Sequence, residues 1–406
     1  MADLVKPDFT DATISDAGHR AFLRQDAARQ LDFFRQSLRP EGGFDSLDLD
    51  GSAISGAPQE LHATTRMVHS FALGKMWGAD DCEAVIDAGM AFLWSRHRDA
   101  VHGGYVWALD GAGISDDQKL AYGHVFVLLA GASAKLAGHP DADRLIADVS
   151  DVLDRHFWED GPGLFCDEFS RDWTPFSTYR GFNANMHGVE ALLAAYEATG
   201  ERGYLDRAGR ILEFFTARVA PAHEFRLPEH YTPDWQPDFD YAGNPMFRPR
   251  GTTPGHSFEM GRLLIQWWDL MGRPEDHNLT NARALIETAL ADAWLPGGGF
   301  AYTLDYDGQV QVADRYWWPV TEAIGAVATL LKVDPQPSDL IWYRTLWAAA
   351  SDLFIDHDRG GWFPEIDAEG RPVAKQFHGK PDIYHALQAD LMPLAPGVPL
   401  SSLTHS

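Results

Sequence analysis

Basic residues are scarce: 33 Lys and Arg face 59 Asp and Glu, a net charge of −26 over 406 residues. So acidic a surface repels phosphate backbones and anionic headgroups, which argues against nucleic acid and membranes as partners. Cysteine is nearly absent. Cys82 and Cys166 are the only two, too few for a disulfide scaffold and in keeping with a reducing, cytoplasmic location. No apolar run approaches the roughly 18 residues of a membrane-spanning helix. The N-terminal stretch has no basic region followed by an apolar run, so no signal peptide is expected. Neither a dinucleotide fingerprint nor a Walker-type phosphate loop appears, so no nucleotide cofactor is expected.

What is present is ordinary globular material, 45% hydrophobic and 23% charged, enriched in aromatics with 14 Trp and 23 Phe. Sugar clefts use such side chains, and so do large cores. No Ser/Gly-rich linker or charge block divides the chain, so one domain is expected over residues 1–406. The last 13 or so residues, after about Pro393, read as a loose tail.

Glycine-rich turns followed by an aromatic recur: Gly42-Gly43-Phe44, Gly103-Gly104-Tyr105, Gly161-Pro162-Gly163-Leu164-Phe165, Gly297-Gly298-Gly299-Phe300 and Gly360-Gly361-Trp362. The aromatics are 61, 60, 135 and 62 residues apart, and Glu224-Phe225-Arg226-Leu227 fills the long gap, making six beats. Short alternating stretches with Asp-Gly turns follow, at Asp110-Gly111 and Asp307-Gly308, and predict hairpins. Between them apolar residues recur at helical spacing, as in Leu23, Ala27, Leu31, Phe34 and in Val320, Ile324, Val327, Leu331. A fixed period of about sixty residues marks a repeat architecture. Six helix pairs close into an all-α (α/α)6 barrel with hairpins at one end; an open solenoid is the alternative.

In such a barrel the helix after each turn begins at the cleft. Those first turns carry Arg66, Tyr122, Asn183, Asn185, His187, His256, Glu259, Trp317, Trp318, Glu322 and His385. Arg66, His187, Glu322 and His385 lie 22, 22, 22 and 23 residues after their aromatic beat. Polar groups at equivalent helix starts converge on the axis. His69 and His124 lie a turn from these positions and are weaker candidates.

The pattern resembles the N-acylglucosamine 2-epimerase superfamily of cofactor-independent sugar epimerases and aldose–ketose isomerases, across nearly the whole chain and in repeat order. Pro254-Gly255-His256-x-x-Glu259 looks like its central motif, and Trp317-Trp318-Pro319-x-x-Glu322 like its aromatic-acid motif. Val320-Thr321 stand where epimerases often have Gln-Ala. The string Gly379-Lys380-Pro381-Asp382-Ile383-Tyr384-His385-Ala386-Leu387-Gln388, with Phe247-Arg248-Pro249, is similar to the mannose and sulfoquinovose isomerase branch rather than to the epimerases.

The resemblance implies conversion of D-mannose to D-fructose, or D-lyxose to D-xylulose, through a cis-enediolate, with no cofactor and no metal. It maps proton transfer between C2 and C1 onto His385 and ring opening onto His256, roles that the sequence leaves exchangeable. Histidine titrates near working pH, as such a carrier must. Arg66, with Arg248 second, is expected to face the enediolate oxygen, because its fork matches vicinal oxygens. Glu259, at i+3 from His256, is expected to hold that imidazole, and Glu322 to do likewise or bind a hydroxyl. Tyr122, Asn183, Asn185, His187, Trp317 and Trp318 are expected to contact the sugar.

Sulfoquinovose would need a cationic pocket, for which Arg66, Arg248, Arg250, Arg180 and Lys380 are available. C2 epimerisation stays open, since two histidines are present. A metal-dependent isomerase would use the His187/Glu190 and His256/Glu259 pairs. A glycoside hydrolase would use two of Asp167, Glu168, Glu229, Asp305 and Glu365. A binding scaffold would want an apolar or uniformly charged inner face. The oligomeric state, monomer or homodimer, is not legible.

Overall fold

A computed structural model describes residues 8–241, 243–244 and 248–405. Phe247 of the Phe247-Arg248-Pro249 string lies outside them. Twelve helices alternate between two layers. The outer ones are α1 (Ala17–Arg35), α3 (Glu83–Phe92), α5 (Ala142–Val152), α7 (Arg202–Leu212), α9 (Asn278–Ala293) and α11 (Pro337–Ala349). The inner ones are α2 (Leu61–Trp77), α4 (Ala121–Leu136), α6 (Phe182–Thr199), α8 (Pro254–Leu270), α10 (Trp317–Val333) and α12 (Tyr384–Leu394). Each inner helix packs on the next, and α12 returns to α2, so the ring is closed and is not an open solenoid. No described helix is long and apolar enough to cross a membrane.

Local chemistry sets the boundaries. Asp16 caps α1 by accepting the His19 N–H at 2.7 Å, and Gly78 and Gly200 end α2 and α6 in the left-handed conformation. Pro254 and Pro337 open α8 and α11, where the missing N–H costs nothing. The outer helices are amphipathic. The inner ones are buried nearly all round, and their small residues let neighbours approach.

The glycine-rich turns return the chain from the outer to the inner layer. Their aromatics Phe44, Tyr105, Phe165, Phe300 and Trp362 are all buried, and each bridges the end of the preceding helix. The glycine just before four of them, and Gly163 two before Phe165, sits at φ between 68° and 82°, which a side chain would strain. The fourth beat departs from expectation. Phe225 is only half-buried, Leu227 takes the buried place, and Glu224 and Phe225 themselves adopt positive φ. Without glycine there, the regular turn does not form.

The hairpins predicted at Asp110-Gly111 and Asp307-Gly308 are present. The pairing extends beyond these hairpins. The segment before each inner helix pairs antiparallel with the next repeat: Gln59–Glu60 with Ala108–Leu109, Lys119–Leu120 with Glu168–Phe169, Arg180–Gly181 with His230–Tyr231, Thr252 with Leu304, and Arg315–Tyr316 with Glu365–Ile366. Lys380 pairs with Leu47 and closes the circle. These ladders hold the starts of the inner helices in a ring at one end.

The expected loose tail is docked instead. Glu197 accepts the N–H groups of Leu400 and Ser401, Lys332 donates to the carbonyls of Met392 and Gly397, and Leu403 is buried. Apolar side chains and a buried carboxylate that needs donors fix this segment across the end of the barrel opposite the ladders.

Candidate active site

Two histidines stand at the mouth of the inner ring. Nδ1 of His256 lies 2.9 and 3.1 Å from the oxygens of Glu229, and Nδ1 of His385 lies 2.7 Å from Glu322 Oε1. A carboxylate accepts only from Nδ1–H, so this assignment leaves the Nε2 lone pair of each ring for a substrate. Both rings flank Trp318, with centroids 5.2 and 5.9 Å from the indole and tilts of 34° and 38°. Trp318 fits there because residue 255 is glycine: a Cβ would lie 2.1 Å from the indole.

Arg66 is clamped beside them. Nη1 donates to Asp382 Oδ2 at 2.7 Å and Nη2 to the Tyr122 hydroxyl at 2.9 Å, while the guanidinium lies 4.7 Å from the ring centroids of both Phe126 and Tyr384. Burial opposes its charge, but Tyr122 and Asp382 hold its proton more firmly than usual. It is a fixed cation with one orientation.

Deeper on the axis the charges crowd. His187 Nδ1 lies 3.2 Å from Glu259 and 3.6 Å from Glu190, and Tyr384 donates to Glu190. Burial disfavours the imidazolium, but Glu259 and Glu190 outweigh it and push His187 up to about 9. Burial pushes Glu322 up to about 7, against the pull of Arg262. Burial and the nearby Arg66 drive His385 down to about 3. Both shifts express one fact: the Glu322–His385 pair accepts charge reluctantly.

Several expectations are corrected. Glu259 does not hold His256. It lies a turn deeper and faces His187, while Glu229, named only as a hydrolase carboxylate, reaches His256 from the adjoining ladder. Asn185 does not face the sugar. It is wholly buried, its Oδ1 accepts the Phe165 N–H at 2.8 Å, and its Nδ2 donates to the carbonyls of Phe165 and Gly181. His124, at the same helical position of its repeat, accepts the Tyr105 N–H at 3.0 Å. His69 is buried against Ser133. Trp317 is core, edge-on to Phe377 behind His385. Arg248 is committed to Glu168 at 2.5 Å and lies over the Tyr179 ring, so it offers no free fork to an enediolate.

Asn183 keeps a buried Oδ1 without a partner, ready for a hydroxyl. Arg66, Tyr122, His187, His256, Trp318, Glu322 and His385 lie together around the mouth of the ring. Asp382 and Arg262 also stand at the site. Asp382 lies in the 379–388 string, and nothing in the sequence marks its partner 316 residues away.

Among the described residues, one group brings three potential metal ligands within reach of each other: His187, Glu190 and Glu259, all buried. Two cations already answer this group, the His187 imidazolium and Arg262, whose Nη2 lies 3.9 Å from Glu190. A metal ion would have to displace the imidazolium proton and sit beside a guanidinium.

Residues 42–389 match the family model of N-acylglucosamine 2-epimerase (GlcNAc 2-epimerase). A D-mannose isomerase of Thermobifida fusca is 40% identical over 390 residues, covering 94% of this chain and 96% of that protein. One from Pseudomonas cannabina pv. alisalensis is 40% identical over 391 residues, covering 94% of each. A crystal structure of a D-mannose isomerase superposes with a TM-score of 0.87 at 33% identity, over 93% of this chain and 99% of the other.

Proposed function

The chain belongs to the N-acylglucosamine 2-epimerase family, and from that footing we propose that it is a D-mannose isomerase, converting the aldose to D-fructose by metal-independent proton transfer in the cytoplasm. The observation that carries the reading is the pair of imidazoles, each with Nδ1 fixed by a carboxylate and both against one indole, beside a clamped arginine. In this reading the sugar lies on Trp318. His256 moves the proton that opens the ring. His385 Nε2 takes the C2 proton and returns it to C1. Glu322 stabilises the imidazolium formed meanwhile, and Arg66, whose fork is held by Asp382 and Tyr122 but whose Nε–H is not hydrogen-bonded, lends its fixed charge to the enediolate oxygen. D-lyxose, which lacks only the terminal hydroxymethyl group, fits the same chemistry.

A neutral sugar is favoured over a sulfonated one because the cations are spoken for. Arg66 pairs with Asp382, Arg248 with Glu168, Arg180 with Glu159 and Lys380 with Asp356. Arg250 is exposed and donates to the Phe239 carbonyl. An anion at C6 would have to break one of these four pairs or rest on the exposed Arg250 alone. The carboxylates a hydrolase would need are engaged as well: Asp167 by the Gly181 N–H, Glu229 by His256, Glu168 by Arg248, Glu365 by the N–H groups of Lys375 and Gln376, and Asp305 within its turn.

The test is proton NMR of D-mannose with chelator-treated protein in D2O. Fructose carrying deuterium at C1 is the expected product. Glucose with deuterium at C2 would make the protein an epimerase, and no turnover of mannose or lyxose would overturn the reading. His385→Ala should abolish C2 exchange, whereas His256→Ala should spare exchange more on a substrate supplied in open-chain form.

A further inference from the structure

Beneath the imidazoles one buried cation has no hydrogen bond to explain two of its nitrogens. Arg262 lies on α8, below His256. Its Nη2 is 3.7 Å from Glu322 Oε2 and 3.9 Å from Glu190 Oε1. Neither Nη2 nor Nε is hydrogen-bonded, and neither is Glu322 Oε2. Glu322 therefore presents one oxygen to His385 and the other to a guanidinium that is near it but not latched to it.

The charges around the pair can be counted by helix. α6 supplies His187 and Glu190, and α8 supplies Glu259 and Arg262, with His256 nearer the mouth. α2 supplies Arg66, which Asp382 neutralises, and His69, whose burial holds it neutral. From α12 the Tyr384 hydroxyl points away, onto Glu190. The His187 imidazolium is nearest Glu259. Arg262, which also faces Glu190, is thus the permanent positive charge nearest Glu322 among the described residues.

We infer that Arg262 is a positioning residue that sets the proton affinity of the Glu322–His385 pair. Its charge keeps Glu322 a carboxylate, which holds the imidazole proton on Nδ1 and leaves Nε2 basic. Without it, burial and the adjoining Glu190 and Glu259 favour a second proton on the pair, and a doubly protonated pair cannot accept from C2. An opposite charge at this range moves a pKa by about one to three units.

The consequence for turnover rests on the isomerase reading; the titration itself does not. Arg262→Met and Arg262→Gln remove the charge, and Arg262→Lys keeps it. The pH profile of kcat/KM for D-mannose should show its acid limb moved up by about one to three pH units in Arg262→Met and Arg262→Gln. Activity should recover at alkaline pH, and KM should change little. Arg262→Lys should leave the limb near its wild-type place. In parallel, 15N NMR of the imidazoles, with His385 assigned by its loss in His385→Gln, should show the pair titrating higher by a similar amount. A uniformly lower rate with an unmoved limb and an unmoved His385 titration would overturn the inference. So would a limb displaced in Arg262→Lys, the outcome that decides if the uncharged variants do not fold. Should wild-type protein fail to turn over mannose, the isomerase reading fails, and the imidazole titration still decides the role of Arg262.

Discussion

Asn185 and His124 each stand fourth in their inner helices and His256 stands third in α8, and they do different work. The first two accept the N–H of the aromatic beat, Phe165 and Tyr105, and so tie turn to helix. In the fourth repeat the glycine turn is missing, and His256 is bonded to Glu229 instead. Asn185→Ala should therefore lower stability by about 2–4 kcal/mol, since it strands buried backbone groups of Phe165. The kcat of folded molecules should stay within about twofold. Asn183→Ala should do the reverse, raising KM with little change in the melting temperature. Denaturant titration beside steady-state kinetics separates the two, and equal effects on both would refute the distinction.

At the scale of elements, the site depends on how closely α8 and α10 approach. Gly255 sits in the first turn of α8 where the Trp318 ring of α10 overlies it. Its conformation is helical, so alanine is tolerable to the backbone and excluded only by the indole. Gly255→Ala should keep its circular dichroism, shift Trp fluorescence and lower kcat at least tenfold, because both imidazoles pack on that ring and small misplacements are costly. Unchanged kcat would mean that Trp318 does not position them. A second feature recurs in the outer layer: α3, α5, α7 and α11 each run into a π-helical stretch, at 93–97, 153–157, 213–219 and 350–354. The widened turn ends three of these helices before their beats, and after 213–219 a short helical turn, Ala220–Ala222, follows.

For the whole molecule the vulnerable place is the seam where first and last helices meet. Asp26 and Gln30 of α1 face Asp390 of α12, all fully buried. Gln30 donates to both carboxyls, and Trp362 donates to Asp26 at 2.9 Å. Burial raises both acids, and Asp26 raises Asp390 further. The folded state therefore holds protons that the unfolded chain releases above about pH 4. The stability that this pair contributes falls as pH rises from there toward the folded-state values. Asp390→Asn supplies a permanent donor in place of that proton. Its melting temperature should exceed that of wild type, by more at pH 8 than at pH 5. A pH-independent difference would show that the seam does not titrate.

Much of this was written locally in the chain. The period of sixty residues comes from glycines that must take positive φ and aromatics that must be buried, so the barrel and the helix starts at its mouth were legible. Residue type and repeat position likewise marked Arg66, His187, His256, Glu322 and His385. Partnership was not legible. Whether Glu259 or Glu229 holds His256, whether Asn185 meets a sugar or a backbone, and where Arg262 points all depend on side chains brought together from different repeats. The tail had the same limit: its docking rests on Glu197 and Lys332, which lie on other helices. Spacing along one helix fixes which way a side chain leaves it. What it meets there is decided only when the ring closes and burial makes every polar group find a partner.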